Sequence, residues 1–184
     1  MVDANAAGRT GIVALLASLP DCLLMVDVGS AGAFWRVPAR QLWLLDEVLV
    51  HAASLPGAPQ SGRVFIRQVR LMLPGVKVRV LSAGGGWTDG ADGVVDYGAS
   101  LSALRHVMSC GGWRTRHSPS PPLTEGEWRV LAGAMSGVPV ITLAKLTGRS
   151  VKTLYAQRNS GLKRLGVSRL PALLADVPAR NGGP

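Results

Sequence analysis

Short apolar runs alternate with amphipathic segments along the first half of the chain. The apolar runs have the length and the apolar content of buried strands. These predicted strands are Cys22–Val28, Lys77–Ser82 and Gly93–Gly98. Beside them are segments whose apolar residues recur at helical spacing. These predicted helices are Gly11–Pro20, Val64–Gly75 and Ser100–Ser109. Strands that alternate with helices predict an α/β domain with a parallel sheet.

The pattern in the last third of the chain is helical throughout. Thr124 and Glu127 have the spacing of a capping box, which predicts the start of a helix. Gly137 is expected to close this helix, Pro139 to open the next, and Ser150 to cap a third. The apolar stripe of the first of these helices is Trp128, Leu131, Ala132 and Met135.

A proline-rich stretch separates the two patterns. "RTRHSPSPP", residues 114–122, contains three prolines and two serines and no apolar side chain other than proline. Proline fixes φ and favours extended neighbours, so this stretch is predicted to be a linker. The sequence thus divides into an α/β domain at 1–113, a linker at 114–122 and a helical domain at 123–178.

The third predicted helix of the second domain has two different faces. On a helical wheel, Leu154, Leu162 and other apolar or small residues fall on one side. The opposite side carries two lysines, a phenol, a carboxamide and a small residue. These are Lys152, Tyr155, Ala156, Asn159 and Lys163.

The positive charge of the chain is concentrated in the part that contains this helix. Residues 1–113 carry nine Lys and Arg against eight Asp and Glu, whereas residues 114–184 carry eleven against three. Nearly all of the net charge of +9 therefore lies in the second part of the chain. Such asymmetry suggests a polyanionic partner, meaning nucleic acid or a membrane surface.

Two helices, a tight turn at "TGR" and a basic polar helix predict a helix-turn-helix. The major groove of B-DNA is about 12 Å wide and admits one helix. Double-stranded DNA is thus the expected partner. The alternative, a solvated charged face on an ordinary helical bundle, fits the charge pattern equally well.

A family resemblance favours the DNA-binding interpretation. Residues 123 to about 175 resemble the LuxR-type DNA-binding domain, and "RSVKT" with "LGV" makes them most similar to its RcsB-like branch. The matching positions are Leu123-Thr124, Glu127, Val130-Leu131, Gly137, Leu143-Ala144, Ser150, Thr153-Leu154 and Arg164-Leu165-Gly166-Val167. The resemblance implies a four-helix module. Within it, the exposed face of the third helix and the positions beside that face are the predicted DNA contacts: Lys152, Thr153, Tyr155, Ala156, Gln157, Asn159, Lys163 and Arg164.

Three positions depart from the family pattern. Thr142 replaces the usual Glu, Thr147 stands where a core Leu is expected, and Gly161 replaces a larger apolar residue. A glycine within a helix costs about 1 kcal/mol relative to alanine. We therefore expect Gly161 to weaken the module without changing its kind.

The first domain resembles a response-regulator receiver domain, but a shortened one. The resemblance makes Asp27 a vestigial phosphoacceptor and matches Ser82 to the hydroxyl at the end of a later strand. Asp96 stands at the position of the family's lysine, and the first strand with its acid pair is expected to be missing. Phosphoryl transfer requires such acids for Mg²⁺ and a cation for the phosphoryl oxygens. We therefore expect regulation without phosphorylation and a sheet edge covered by a partner.

The last predicted helix carries a leucine-rich stripe. Leu170, Leu173, Leu174 and Val177 follow the spacing i, i+3, i+4, i+7. In the family this helix makes the dimer contact, so the resemblance implies a homodimer or a heterodimer with a related regulator. Packing within the module is the alternative.

Other classes of protein find little support. His51, His106 and His117 stand far apart without a nucleophile motif, so no enzyme, cofactor or metal site is expected. Cys22 and Cys110 lie in apolar surroundings without metal-binding spacing. No secretory signal or membrane span is evident, which predicts a cytoplasmic protein. An auxiliary subunit that modulates another response regulator, with little DNA binding of its own, remains the alternative function.

Overall fold

The computed structural model describes residues 1–19, 25–57, 60–83, 90–110 and 122–175. The helices in this part of the chain are α1 (Ala6–Ala17), α2 (Ala31–Arg36), α3 (Ala39–Leu42), α4 (Gln60–Met72), α5 (Leu101–Cys110), α6 (Glu125–Met135), α7 (Val140–Thr147), α8 (Val151–Arg164) and α9 (Leu170–Leu174). The strands are β1 (Glu47–Val50), β2 (Lys77–Ser82) and β3 (Gly93–Asp96). The proline-rich linker lies outside the described residues except for its last proline.

The strands form a parallel sheet in the order β1–β2–β3. The chain start extends it, since Val2 bridges Val50 on one side and Val28 on the other, both in parallel. Backbone N–H groups of Val2 and His51 donate to the carbonyls of Leu49 and Val2 at 2.8 and 2.9 Å. All these segments run in one direction, as the alternating sequence pattern predicts.

The expectation that the first strand is missing is therefore wrong. Met1 to Asp3 occupy a central position in the sheet, between the Val28 segment and β1. Three residues are too few to show strand periodicity, but their backbone hydrogen bonds complete the ladder. The sheet edge that a partner was expected to cover is thus not left open at this position.

Most of the other predicted elements are confirmed with shifted ends. Strand β2 has the predicted bounds, and α5 begins one residue late because Ser100 precedes it and accepts from the backbone N–H of Ala103. Helix α1 begins five residues before the predicted start, where the Asn5 side chain accepts from the Gly8 N–H at 3.3 Å. The predicted strand at Cys22–Val28 falls partly outside the described residues.

One hydrophobic core joins the α/β part to the helical part. It contains Phe34 and Trp35 of α2 and Phe65 of α4, together with Trp128 of α6 and Leu173 of α9. Helix α6 packs against both α2 and α3, and α9 packs against α4. The two sequence-defined parts are therefore in direct contact through buried side chains.

Among the described residues, no helix combines the length and the apolar character that crossing a bilayer requires.

Candidate nucleic-acid interface

Helix α8 is delimited by the residues that the sequence indicates. The Ser150 side chain caps its start, accepting from the backbone N–H of Thr153 at 3.1 Å. Gly148, with φ of 65°, makes the tight turn from α7, and Gly166, with φ of 67°, follows the end of α8. Left-handed backbone at these two positions favours glycine, since it lacks a Cβ.

The buried face of α8 holds the helix against α6 and α7. Leu154 packs with Val130 and Leu143 in a small cluster of its own, while Leu162 joins the main core. Gly161 is also buried, at the place where α8 crosses α6. This face matches the apolar side of the predicted helical wheel.

Glu127 connects the start of α6 to the far end of α8. Its Oε2 accepts from the Thr124 N–H at 2.8 Å, completing the capping box, and its Oε1 accepts from Ser160 Oγ at 2.6 Å. Arg164 Nε lies 3.1 Å from the same Oε1. Burial alone would raise the pKa of the Glu127 carboxyl, but these hydrogen bonds and Arg164 hold that pKa below its ordinary value of 4.5.

The opposite face of α8 is open to solvent. Tyr155 is 43% exposed at the centre of this face. The other members of the predicted face are exposed as well, and none of them contacts the core. They are Lys152, Ala156, Asn159 and Lys163. The sequence-derived division of this helix into a buried and an exposed side is confirmed.

The other three predicted contact residues of α8 differ in how exposed their side chains are. Thr153 is exposed, with its hydroxyl 2.8 Å from Ser150 Oγ. Arg164 is exposed but paired with Glu127. The carboxamide of Gln157 lies against Gly126 of α6, and its Oε1 is buried without a donor among the described residues. Gln157 is thus turned toward its own chain here.

Cations continue beyond α8 on the helical part of the chain. No Asp or Glu occurs between Glu127 and Asp176, whereas eight Lys and Arg do. Lys145 of α7, Arg149 before α8 and Arg169 before α9 are all exposed. These three residues are not among the DNA contacts predicted from the sequence. The absence of acids over this whole stretch is the signal that would have included them.

Helix α9 does not present the predicted leucine stripe to a partner. Leu173 is buried against α4, where Gln68 Nε2 donates to the Leu173 carbonyl at 3.2 Å. Leu170 packs partly on the same core, whereas Leu174 is 41% exposed. Val177 lies outside the described residues. Packing within the chain, the alternative to a dimer contact, thus accounts for Leu170 and Leu173 in this conformation.

At the carboxyl edge of the sheet, the acid at the centre is Asp3, whereas the sequence suggested Asp27. From the central Val2 segment the chain passes first to the Val28 segment on one side and later to β1 on the other side. The strand order therefore reverses at this point, and the switch point of the topology lies beside Asp3 and His51. His51 Nδ1 donates to Asp3 Oδ1 at 3.1 Å, and the His51 ring stacks on Tyr97 with centroids 4.6 Å apart.

Asp27 lies at the outer side of this edge, away from the switch point. It is exposed and forms an ion pair with Arg9 Nε at 2.9 Å. Ser82 and Asp96 are adjacent in the register of β2 and β3, as their strand ends predict. Asp96 Oδ1 accepts from the Gly98 N–H at 2.9 Å. The structure thus brings Ser82 and Asp96 together but not Asp27.

Comparison with known proteins gives a match in structure only. No family model and no curated protein matches the chain. Two structures of the RcsB response regulator of Salmonella typhimurium, determined in work on its conformational dynamism for DNA interaction, do match. They have TM-scores of 0.52 and 0.50 at 20% and 19% identity, covering 94% of this chain and 94% and 92% of theirs. The chain therefore shares the fold of the RcsB response regulators, a small parallel α/β sheet followed by a helical region.

Proposed function

We propose that this protein is a sequence-specific DNA-binding regulator of transcription, with α8 as the helix that enters the major groove. The observation that carries the proposal is the exposed face of α8, which combines polar and cationic groups on a helix whose other face is fixed in a core. The fold is that of response regulators studied for their interaction with DNA. The α7–turn–α8 unit fits a helix-turn-helix.

The exposed face divides by the kind of contact that each group can make. Tyr155 and Asn159 lie near its centre and offer donors and acceptors suited to base edges. Lys152 and Lys163 stand at its two ends, about 16 Å apart at about 1.5 Å per residue, and are positioned for the phosphate backbone. Thr153 is exposed beside them and is assigned to phosphate contacts too.

The cations outside α8 extend the proposed interface. Lys145 and Arg149 flank the turn that leads into α8, and Arg169 follows its end. Exposed cations at both ends of a recognition helix would neutralise phosphates on either side of the groove. Since no carboxylate of α7 or α8 offsets them, this surface attracts a polyanion over its full length.

We further propose that two chains bind one site as a dimer, with their α8 helices on half-sites one helical turn apart. Leu174 is the exposed leucine of α9 that could contact a second chain. Leu173 would be freed only if α9 left α4. Binding is proposed to be independent of phosphorylation, because Asp27 is paired with Arg9 away from the switch point and the described part of the carboxyl edge, which holds Asp3, His51 and Asp96, has no lysine.

The test is a binding-site selection with the full chain and a random duplex library, followed by affinity measurements at several salt concentrations. We expect an enriched sequence motif and an affinity that falls at least about tenfold between roughly 50 and 200 mM salt. Lys163→Gln should reduce the salt dependence, and Arg105→Gln, a charge-matched change on α5, should not. No enriched motif, or an affinity insensitive to salt, would contradict the proposal.

A further inference from the structure

A cleft opens between the α/β part and the helical part of the molecule. Helices α2 and α3 with the residues joining them form one wall, and α6 and the start of α7 form the other. Its volume is about 530 Å³. Small-molecule sites in proteins occupy about 300–1,000 Å³ and occur preferentially at such boundaries between structural units.

Three tryptophans make the apolar side of this cleft. Trp35 and Trp128 are almost fully buried at its floor, with ring centroids 5.9 Å apart. Trp43 is partly exposed and meets Trp128 edge to face at 5.7 Å. Trp35 Nε1 donates to Gln68, whereas Trp43 Nε1 has no acceptor among the described residues.

The rim of the cleft is cationic. Arg36 and Arg40 from the first wall and Arg129 from the second line it, against one acid, Glu125. Arg129 Nη2 and Glu125 Oε1 are paired at 2.8 Å, so these two charges largely neutralise each other. Arg36 extends toward the Ser136 carbonyl across the cleft at 3.5 Å. Arg40 is exposed and has no hydrogen-bond or ion-pair partner in the described part of the chain.

From this combination we infer that the cleft binds a small planar apolar molecule that carries a carboxylate. The tryptophan floor suits an aromatic ring, because rings pack edge to face and in offset stacks. The free guanidinium of Arg40 suits the carboxylate, which it can hold with two parallel hydrogen bonds. The inference goes beyond DNA binding and does not depend on it.

The cleft lies next to the side chains that hold α8 against the rest of the helical part. Leu143 lines the cleft and also packs with Leu154 of α8. The space around Leu143 is tight, since a Cβ on Gly133 would come within 2.5 Å of its Cδ1. A molecule in contact with Leu143 therefore adjoins the core beneath the proposed DNA-binding face.

Calorimetric titration of the full chain with 1-naphthoate tests the inference, with 1-naphthalenemethanol as the uncharged partner probe. We expect 1-naphthoate to bind with a Kd on the order of 0.1–1 mM and the alcohol to bind at least about fivefold more weakly. Arg40→Gln should weaken 1-naphthoate about fivefold and leave the alcohol unchanged. Arg105→Gln removes the same charge away from the cleft and should change neither.

Arg40 is exposed, so its substitution is not expected to disturb the fold, and equal melting temperatures would verify this. The inference is overturned if 1-naphthoate shows no binding in the millimolar range, or if the two probes bind equally. It is also overturned if Arg40→Gln and Arg105→Gln give the same affinity for 1-naphthoate.

Discussion

Gly161 of α8 lies so close to Leu131 of α6 that a Cβ at position 161 would come within 3.0 Å of Leu131 Cδ1. The same Cβ would lie 3.2 Å from Glu127 Cβ. Leu131 is fully buried and therefore has little room to move aside. Gly161, which departs from the family pattern, thus permits the close crossing of these two helices. The expectation that this glycine only weakens the module is therefore incomplete.

We predict that Gly161→Ala lowers the free energy of unfolding by about 1 kcal/mol. Alanine gains about 1 kcal/mol of helix propensity, but overpacking a filled core costs about 1–3 kcal/mol. Gly11→Ala is the matched control, because Gly11 lies within α1 with no atom near its missing Cβ. Urea unfolding should show the control stabilised by about 0.5–1 kcal/mol. Stabilisation of both variants would show that the α6–α8 crossing can accommodate a Cβ at position 161.

Glu127 is predicted to stabilise the helical part in its ionised form. Its pKa is lowered in the folded chain, so its contribution is complete above about pH 4.5, the ordinary pKa, and is lost as the pH falls through the folded pKa. Glu127→Gln should lower the free energy of unfolding by about 1–2 kcal/mol near neutral pH. Urea unfolding at a series of pH values should show this difference shrinking as the pH falls below the ordinary pKa of about 4.5.

Glu125→Gln is the control for that measurement. Glu125 lies on the same helix, is largely exposed and, within the described part of the chain, pairs with Arg129 one turn away. Its substitution should change the free energy of unfolding by less than about 0.5 kcal/mol at any pH. Equal effects of the two substitutions would mean that Glu127 does not connect α6 to α8.

The helical part was predictable because its signals are local. The capping box at Thr124 and Glu127, Ser150 as N-cap, and Gly137 and Gly148 at positive φ all lie where the sequence indicates. Local backbone chemistry fixes such helix ends whatever the tertiary packing. The helical wheel likewise separates the buried and exposed sides of α8, because one amphipathic helix has one way to cover its apolar face.

The rest depends on contacts between distant residues. Met1 to Asp3 show no strand pattern of their own, and their role follows from pairing with Val28 and Val50. The short helices α2 and α3 were not predicted, and their placement depends on Trp35 and Trp43 packing on Trp128. Such packing has no signature within a single window of sequence.

Gln68 is predicted to hold the α/β part and α9 together. Its side chain accepts from Trp35 Nε1 at 3.1 Å and donates to the Leu173 carbonyl at 3.2 Å, both in buried surroundings. Gln68→Met keeps the volume but leaves two buried groups unpaired, so it should cost about 2–4 kcal/mol of stability. Gln60→Met, at the exposed start of α4, is the control. A loss below about 0.5 kcal/mol for Gln68→Met, measured by thermal or urea unfolding, would contradict this role.

Phosphodonors are predicted not to activate the protein. Asp27 is paired with Arg9 away from the switch point, and His51 and Asp3 occupy the centre of the carboxyl edge. Treatment with acetyl phosphate and Mg²⁺ should leave the intact mass unchanged and alter DNA affinity by less than about twofold. A stable phosphoryl group on Asp27, accompanied by tighter DNA binding, would overturn the prediction.

Whether the exposed face of α8 recognises DNA sequence can be measured with Asn159→Ala on selected and scrambled duplexes in parallel salt titrations. Asn159 lies near the centre of the face, so its loss should cost about 1–3 kcal/mol on the selected duplex and little on the scrambled one. Lys163→Ala, at the end of the face, should weaken both duplexes alike and reduce the salt slope by about one. Equal losses on both duplexes for Asn159→Ala would show that this face binds DNA without recognising its sequence, which is the opposite of the function proposed for α8.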